Sequence, residues 1–297
     1  AAVLDTLRHR PEIVFCGHLY MAPLAALIAR LCGARLVVQT HGIEAWPRPS
    51  RAVRWATERA DLVLAVSRYT RAQVLCWASI EPERVFVLPN TVSERFTPGD
   101  RLAARQRFDL GDQRVLLTVG RLAASERYKG HDRVIEALPS MIAAGHDVLY
   151  LVAGEGDDRA RLESLACTAG MGERVRFLGA VAEGDLPDLY RAADVFVMPS
   201  TGEGFGIAFL EAMACGTPAV GLGAKGDADA LALATARTVA PGSGHRRLAD
   251  TITGLLDQGP DTRQGQVGPR TKFGRERFAA RAVGILDHSG PGHSLRP

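Results

Sequence analysis

Cysteine is scarce and unpaired in this chain. The five cysteines among 297 residues, Cys16, Cys32, Cys76, Cys167 and Cys215, form no CxxC pair and sit inside apolar segments. That excludes a disulfide scaffold or a zinc ribbon and fits a reduced, cytoplasmic compartment. No cluster of His, Asp or Cys has metal-ligand spacing. Neither GxSxG nor GxxxxGKS/T occurs, which argues against an α/β-hydrolase and a P-loop enzyme. Runs of lysine or arginine are missing as well, and a formal charge of +3 is too small to argue for a nucleic-acid partner. The apolar stretch from Leu19 to Cys32 is too short for a bilayer and carries Pro23 and Arg30. No repeat of solenoid length and no signal peptide is visible. The chain begins at Ala1 rather than methionine, with a short helical stretch leading into a strand, and reads as lacking its natural N-terminus.

What is there is ordinary globular material: 46% hydrophobic residues, enough for a sizeable core, over a length that suggests about two domains. Short apolar runs alternate with helical patterns. The runs predict strands at Ile13–Cys16, Arg35–Gln39, Leu62–Ala65, Val85–Leu88, Val115–Val119, Val148–Ala153, Val175–Leu178, Val195–Met198 and Ala219–Gly221. Helices are expected at Met21–Leu31, Arg51–Glu58, Tyr69–Trp77, His131–Ala144, Asp157–Ala166 and, finally, Thr271–Leu286. Nearly continuous apolar strands separated by helices indicate parallel sheets covered on both faces. The fold class is therefore α/β, with two Rossmann-like units in tandem, the first having too few strands. Pro89–Asp100 reads as the linker. The expected organisation is 1–93 as a partial N-terminal domain, 94–270 as a C-terminal domain, 271–287 as a helix and 288–297 as a disordered tail.

The most informative stretch runs from Glu203 to Glu211, Glu-Gly-Phe-Gly-Ile-Ala-Phe-Leu-Glu. A core strand, Asp194–Ser200, precedes it, and Gly204, Phe205 and Gly206 form the turn into a helix. The first N–H groups of a helix lack internal partners and suit an anion. Glu203 falls before the helix and Glu211 about two turns into it, so the pair could grip different parts of one phosphate-bearing ligand. Ile207, Leu210 and Ala214 make an apolar stripe with Glu211 at its edge, which leaves a structural role open for that acid. Arg121 follows a strand at the edge where open parallel sheets take ligands, and Lys129 comes eight residues later. Together they could neutralise a diphosphate, although such a pair also fits a solvated loop. Gly154-Glu-Gly156 is two glycines of a dinucleotide fingerprint and reads as a tight turn. His41 ends a strand at the ligand edge of the first sheet, where backbone hydrogen bonding would explain it equally well. His18 closes the preceding strand in the same way.

These elements together resemble the GT-B retaining glycosyltransferases of the "glycosyl transferases group 1" type, family GT4. The resemblance rests on Thr40-His-Gly-Ile-Glu44, Val66-Ser-Arg-Tyr-Thr70, Val87-Leu-Pro-Asn90, Val119-Gly-Arg-Leu122, Tyr128-Lys-Gly130, Gly154-Glu-Gly156, Val175-Arg-Phe-Leu-Gly179 and Glu203–Glu211, which looks like the family's E-x7-E motif. It implies two Rossmann-like domains facing a cleft, the N-terminal one incomplete here and on the acceptor side. The implied activity moves a hexosyl group from a UDP- or GDP-sugar to a glycan, lipid or small-molecule acceptor. The anomeric configuration is retained, and neither metal nor other cofactor is used. Arg121 and Lys129 would hold the diphosphate, and the amides of Gly204, Phe205 and Gly206 would meet the donor sugar and phosphates. Glu203 would bind sugar hydroxyls and Glu211 the ribose, backbone near Leu178–Val181 would face the base, and His41 would lie by the transferred sugar. The implied location is the cytoplasm, with room for a peripheral seat on the inner membrane face.

Three features depart from the family pattern. The opening strand and glycine-rich loop of the family do not precede Ala1. The loop Leu222–Ala230 lacks the usual Gly-Gly-x-x-Asp/Glu, and the tail from Gly259 to Gly268 is unlike the family's ordered helices. A truncated protein that binds a nucleotide sugar without transferring it is thus the alternative reading. An epimerase of the same fold ranks below both, because it is expected to lack the E-x7-E arrangement.

Overall fold

The computed structural model describes residues 10–232, 236–258 and 268–288. The helical stretch before the first strand, the tail after His288 and most of the Gly259–Gly268 departure fall outside them. The chain divides into two compact units, Ala1–Asn90 with Glu276–Pro297, and Thr91–Arg275.

In the first unit, β1 (Ile13–Cys16), β2 (Arg35–Thr40), β3 (Leu62–Ala65) and β4 (Val85–Val87) form a parallel sheet in that order. Between them run α1 (Ala22–Cys32), α2 (Arg51–Glu58) and α3 (Arg68–Trp77). Each begins or ends where its sequence dictates. The hydroxyls of Ser50 and Ser67 accept from the amides of Val53 and Thr70 and so cap α2 and α3. Gly33 closes α1 in the left-handed conformation, at φ 68°. The expected final helix is two helices, one on each side of Gly274. α11 (Gly268–Phe273) stays with the second unit, while α12 (Arg275–His288) lays Phe278, Ala282 and Ile285 against Val37, Leu62, Leu64 and Leu88 of the first.

The second unit holds six parallel strands: β5 (Arg114–Val119), β6 (Val148–Ala153), β7 (Val175–Gly179), β8 (Val195–Met198), β9 (Ala219–Gly221) and β10 (Ala236–Thr238). Their order is β10-β9-β8-β5-β6-β7, the doubly wound arrangement whose direction of winding reverses between β5 and β8. β6 and β8 are buried at every residue, the reason they read as unbroken apolar runs. One face packs under α5 (His131–Ala143), α6 (Arg159–Thr168) and α10 (His245–Asp257), through residues such as Ile135, Leu138, Leu162, Ile252 and Leu256. The other face carries a chain of edge-to-face aromatics, Phe96, Tyr190, Phe196 and Phe209, with ring centroids 5.4 to 5.8 Å apart. Tyr190 belongs to α7 (Leu186–Ala192) and Phe209 to α8 (Ile207–Ala214), which is followed by the single-turn α9 (Ala228–Leu231). The first helix of this unit, α4 (Arg101–Arg107), is held by a buried ion pair. Asp194 accepts from Arg101 at 2.5 Å, from Arg105 at 3.4 Å and from the amide of Val115 at 2.8 Å.

Candidate functional site

The loops after β5 and β8 leave the sheet at its reversal point, and they carry Arg121, Lys129 and Glu203. The stretch from Ala124 to Lys129 coils into a 3-10 turn broken at Glu126, whose φ is −114°. Gly130, at φ 79°, then starts α5; a Cβ there would lie 2.6 Å from the carbonyl oxygen of Pro199. This close approach joins the cation loop to the loop after β8. The amide of Thr201 donates to the carbonyl of Tyr128 at 2.8 Å, and Arg133 reaches the carbonyl of Pro199 at 3.3 Å.

Lys129 is nearly buried and places Nζ 2.9 Å from Oε2 of Glu126, while the exposed Arg121 pairs with Oε1 of the same carboxylate. The two cations thus converge on one acid that no motif singles out in the sequence. Glu203 lies within their field. Burial raises its pKa, Lys129 and a hydrogen bond from Ser200 pull it back, Glu126 adds to the rise and Arg121 opposes it. Its Oε1 is buried without a hydrogen-bond partner. Burial, then Glu126 and Glu203, push the Tyr128 phenol up to about 12.

The turn after Glu203 is braced from the far side by the loop that the sequence sets apart from the family pattern. The backbone of Glu203 forms an isolated parallel β-bridge with that of Lys225, and a Cβ on Gly226 would lie 2.1 Å from the carbonyl oxygen of Gly204. Gly206, at φ 84°, caps α8. Phe205 is buried against Phe273, with centroids 5.5 Å apart, so its side chain serves packing. Because α8 begins at Ile207, Glu211 is its fifth residue and stands just over one turn into the helix rather than two. Ile207 is exposed and does not belong to the buried stripe, which is formed by Phe209, Leu210, Ala212, Met213 and Ala214. Glu211 accepts from the phenol of Tyr190 at 2.8 Å. Its pKa is raised by burial, against the pull of Tyr190 and Arg95.

Gly154-Glu-Gly156 is a tight turn with a mechanical task. A Cβ on Gly154 would lie 1.9 Å from the carbonyl oxygen of Gly120, and one on Gly156 would lie 2.1 Å from that of Leu122. The two loops therefore run in backbone contact, tied by Leu122 N–H to Glu155 O at 2.8 Å. The next residues grip the cation loop. Asp157 accepts from the amide of Ala124 at 2.7 Å, and the buried Asp158 accepts from Arg127 at 2.8 Å and Arg161 at 2.6 Å. Hydrogen bonds from Arg161 foremost hold the Asp158 carboxyl below its ordinary range, against its burial.

His41 belongs to the first unit and Arg121, Lys129, Glu203 and Glu211 to the second. Its ring is exposed, and Nε2 lies 2.7 Å from the carbonyl oxygen of Gly17. A carbonyl only accepts, so Nε2 carries the proton in that contact and Nδ1 is the remaining ring nitrogen. The backbone amide of His41 is held by Glu44, through the glycine-only conformation of Gly42 at φ 129°. His18 caps the short turn after β1, accepting at Nδ1 from Tyr20 N–H at 3.3 Å.

Sequence comparisons agree on this geometry's family. The family described as "Glycosyl transferases group 1" matches residues 100–268, and "Glycosyltransferase Family 4" matches residues 2–96. The chain is 36% identical, over 71% of its length, to the GDP-mannose-dependent alpha-(1-6)-phosphatidylinositol monomannoside mannosyltransferase of Mycolicibacterium smegmatis, of which it spans 58%. Its identity with the protein of the same name from Mycobacterium tuberculosis is 31% over 94% of the chain, and it covers 76% of that relative. Among solved structures, Anabaena HepE in complex with UDP superposes with a TM-score of 0.84 at 23% identity, covering 96% of this chain and 81% of that one. The fold is that of the GT-B glycosyltransferases.

Proposed function

Because the chain belongs to the glycosyl transferases group 1 family, we propose that it takes part in moving a hexosyl group from a nucleotide-diphosphate sugar to an acceptor, with retention at the anomeric carbon. The observation that carries this reading is the meeting of Arg121 and Lys129 beside Glu203, at the point where the second sheet reverses. Cleavage of the sugar–phosphate bond leaves extra negative charge on the diphosphate. Groups already aimed at that charge lower the barrier because they need no reorganisation as it develops. Lys129 is shielded from water, so its charge is little screened. The N-terminal amides of α8, which follow Glu203 in the chain, add a partial positive charge. In this reading the two side chains supply the countercharge of the leaving group, and no metal ion is required for that task.

Glu203 is assigned to the hydroxyls of the transferred sugar, since its buried Oε1 is an acceptor with no partner of its own. Glu211 takes the ribose hydroxyls, with Tyr190 fixing one of its oxygens. His41 is kept as the sugar- and acceptor-side residue of the first unit. The leaving diphosphate is proposed to accept the acceptor's proton, which would keep departure and attack on one face of the sugar and so retain configuration. GDP-mannose is the first donor to try, because the mycobacterial relatives are named for it; UDP-glucose is the second.

Calorimetry with GDP and UDP tests the donor site, and transfer or hydrolysis of the two sugars tests the reaction. Lys129→Ala is expected to lower turnover by about 100-fold while leaving the melting temperature close to that of the parent. Equal turnover in variant and parent, or a folded protein that binds neither nucleotide at millimolar concentration, would overturn the reading.

A further inference from the structure

Glu126 stands in an unusual relation to the two cations. Its two oxygens are divided between them, Oε1 on Arg121 and Oε2 on Lys129. The carboxylate is only 11% exposed and the Lys129 side chain 13%, so the pair is held largely out of water. This follows from the break in the 3-10 turn: Glu126 leaves helical geometry while its amide still donates to Ala123 at 2.8 Å. Asp157 and Asp158 hold the same turn at its start, Ala124, and just past Glu126, at Arg127, so it is anchored rather than free to follow solvent. A carboxylate with one oxygen on each of two cations copies the charge and fork of one phosphoryl group.

We propose that Glu126 competes with the donor diphosphate for Arg121 and Lys129 and thereby sets how tightly the nucleotide is held. The inference rests on the assignment of those two cations to a diphosphate. The guanidinium and ammonium have donors enough for several acceptors, but a second anion beside Glu126 meets like charge in a poorly screened setting. Binding therefore requires the carboxylate to give way, and the energy of its two ion pairs is subtracted from the affinity. A weakened hold serves a transferase that must release its nucleoside diphosphate at every turnover, since product release often limits the rate.

The opposite role is physically reasonable too: Glu126 could act only to orient Lys129, in which case removing it would weaken binding. The two roles give opposite signs. Binding of GDP, UDP and inorganic pyrophosphate to the whole chain is measured by calorimetry for the parent, Glu126→Gln and Glu126→Asp. Competition predicts that Glu126→Gln tightens all three by about tenfold, with Glu126→Asp, too short to span both cations, in between. Pyrophosphate separates a charge effect at the cations from a change in base or ribose contacts. Should the parent bind nucleotide while Glu126→Gln binds with equal or lower affinity, the competition is refuted and the donor site survives. If the folded parent, Glu126→Gln and Glu126→Asp all bind none of the three, both the donor site and the competition fall.

Discussion

His131, the first residue of α5, shows how strongly the site's surroundings act on a single group. It is 5% exposed, its Nε2 has no hydrogen-bond partner, and burial together with the charge of Lys129 lowers its pKa to about 4. The unfolded chain takes up a proton near pH 6.5, which the folded one refuses until about pH 4. The folded pKa is depressed, so the associated stability is present above pH 6.5 and is lost as pH falls through about 4. The amount is on the order of 3 kcal/mol. His131→Gln should remove this part of the acid sensitivity. Urea midpoints of parent and variant measured at pH 7.5, 6 and 4.5 are expected to converge as pH falls; parallel lines would refute the assignment. Arg121, Lys129, Glu203 and Glu211 are legible from the sequence because each belongs to a short motif. Glu126, Ser200 and Tyr190 are not, because their meaning comes from what they touch. Glu126 is one acid in a charged loop until folding puts Arg121 and Lys129 on its two oxygens.

Among the elements, strands buried on both faces are the easiest to read, and β3, β6, β8 and β9 have the bounds that their apolar runs predict; β1 does too, although Ile13 and Phe15 are exposed. The omissions have physical causes. β10 is three residues, Ala-Arg-Thr, at the sheet edge, where no two-sided burial shapes its composition. α4 and α7 are seven residues each, too short to display a helical period: α4 is tied down by ion pairs such as Arg101–Asp194 and Arg107–Asp188, and α7 buries Leu189 and Tyr190 within barely two turns. α10 opens with His-Arg-Arg after a glycine-rich loop, and only its later turns bury leucine and isoleucine. Glycines divide into two kinds that sequence cannot separate. Gly145, at φ 89°, has nothing within 4 Å of a Cβ, whereas Gly154, at φ 145°, has the Gly120 carbonyl at 1.9 Å. Gly145→Ala should cost only its backbone strain, about 1 kcal/mol. Gly154→Ala must push two strand-end loops apart, so a loss of at least about 3 kcal/mol is expected. Because the Lys129 loop rests on that contact, weaker pyrophosphate binding should accompany it. Equal melting temperatures for the two variants would contradict this account.

For the molecule as a whole, the α/β class and the presence of two parallel-sheet units are readable, but the path of the chain is not. Gly274 is a local sign of a break within residues 271–287, but nothing there announces that the second part rejoins the first unit. A chain ended after Arg275 is expected to keep the second unit's own thermal transition and its nucleotide affinity, since that core is complete within Thr91–Arg275. The first unit should lose its transition and bind a hydrophobic dye, because Val37, Leu62, Leu64 and Leu88 would lack Ile285. A truncated chain with both transitions intact would show that α12 is dispensable. The return of α12 also bears on the order of events on the ribosome. The four described strands of the first sheet emerge before the second unit, yet α12, the cover for one of their faces, is made after it. The second unit can finish folding while four apolar residues of the first still await a helix almost two hundred residues downstream of Leu88. During synthesis, then, the first unit is made before the second but stays exposed to aggregation for longer.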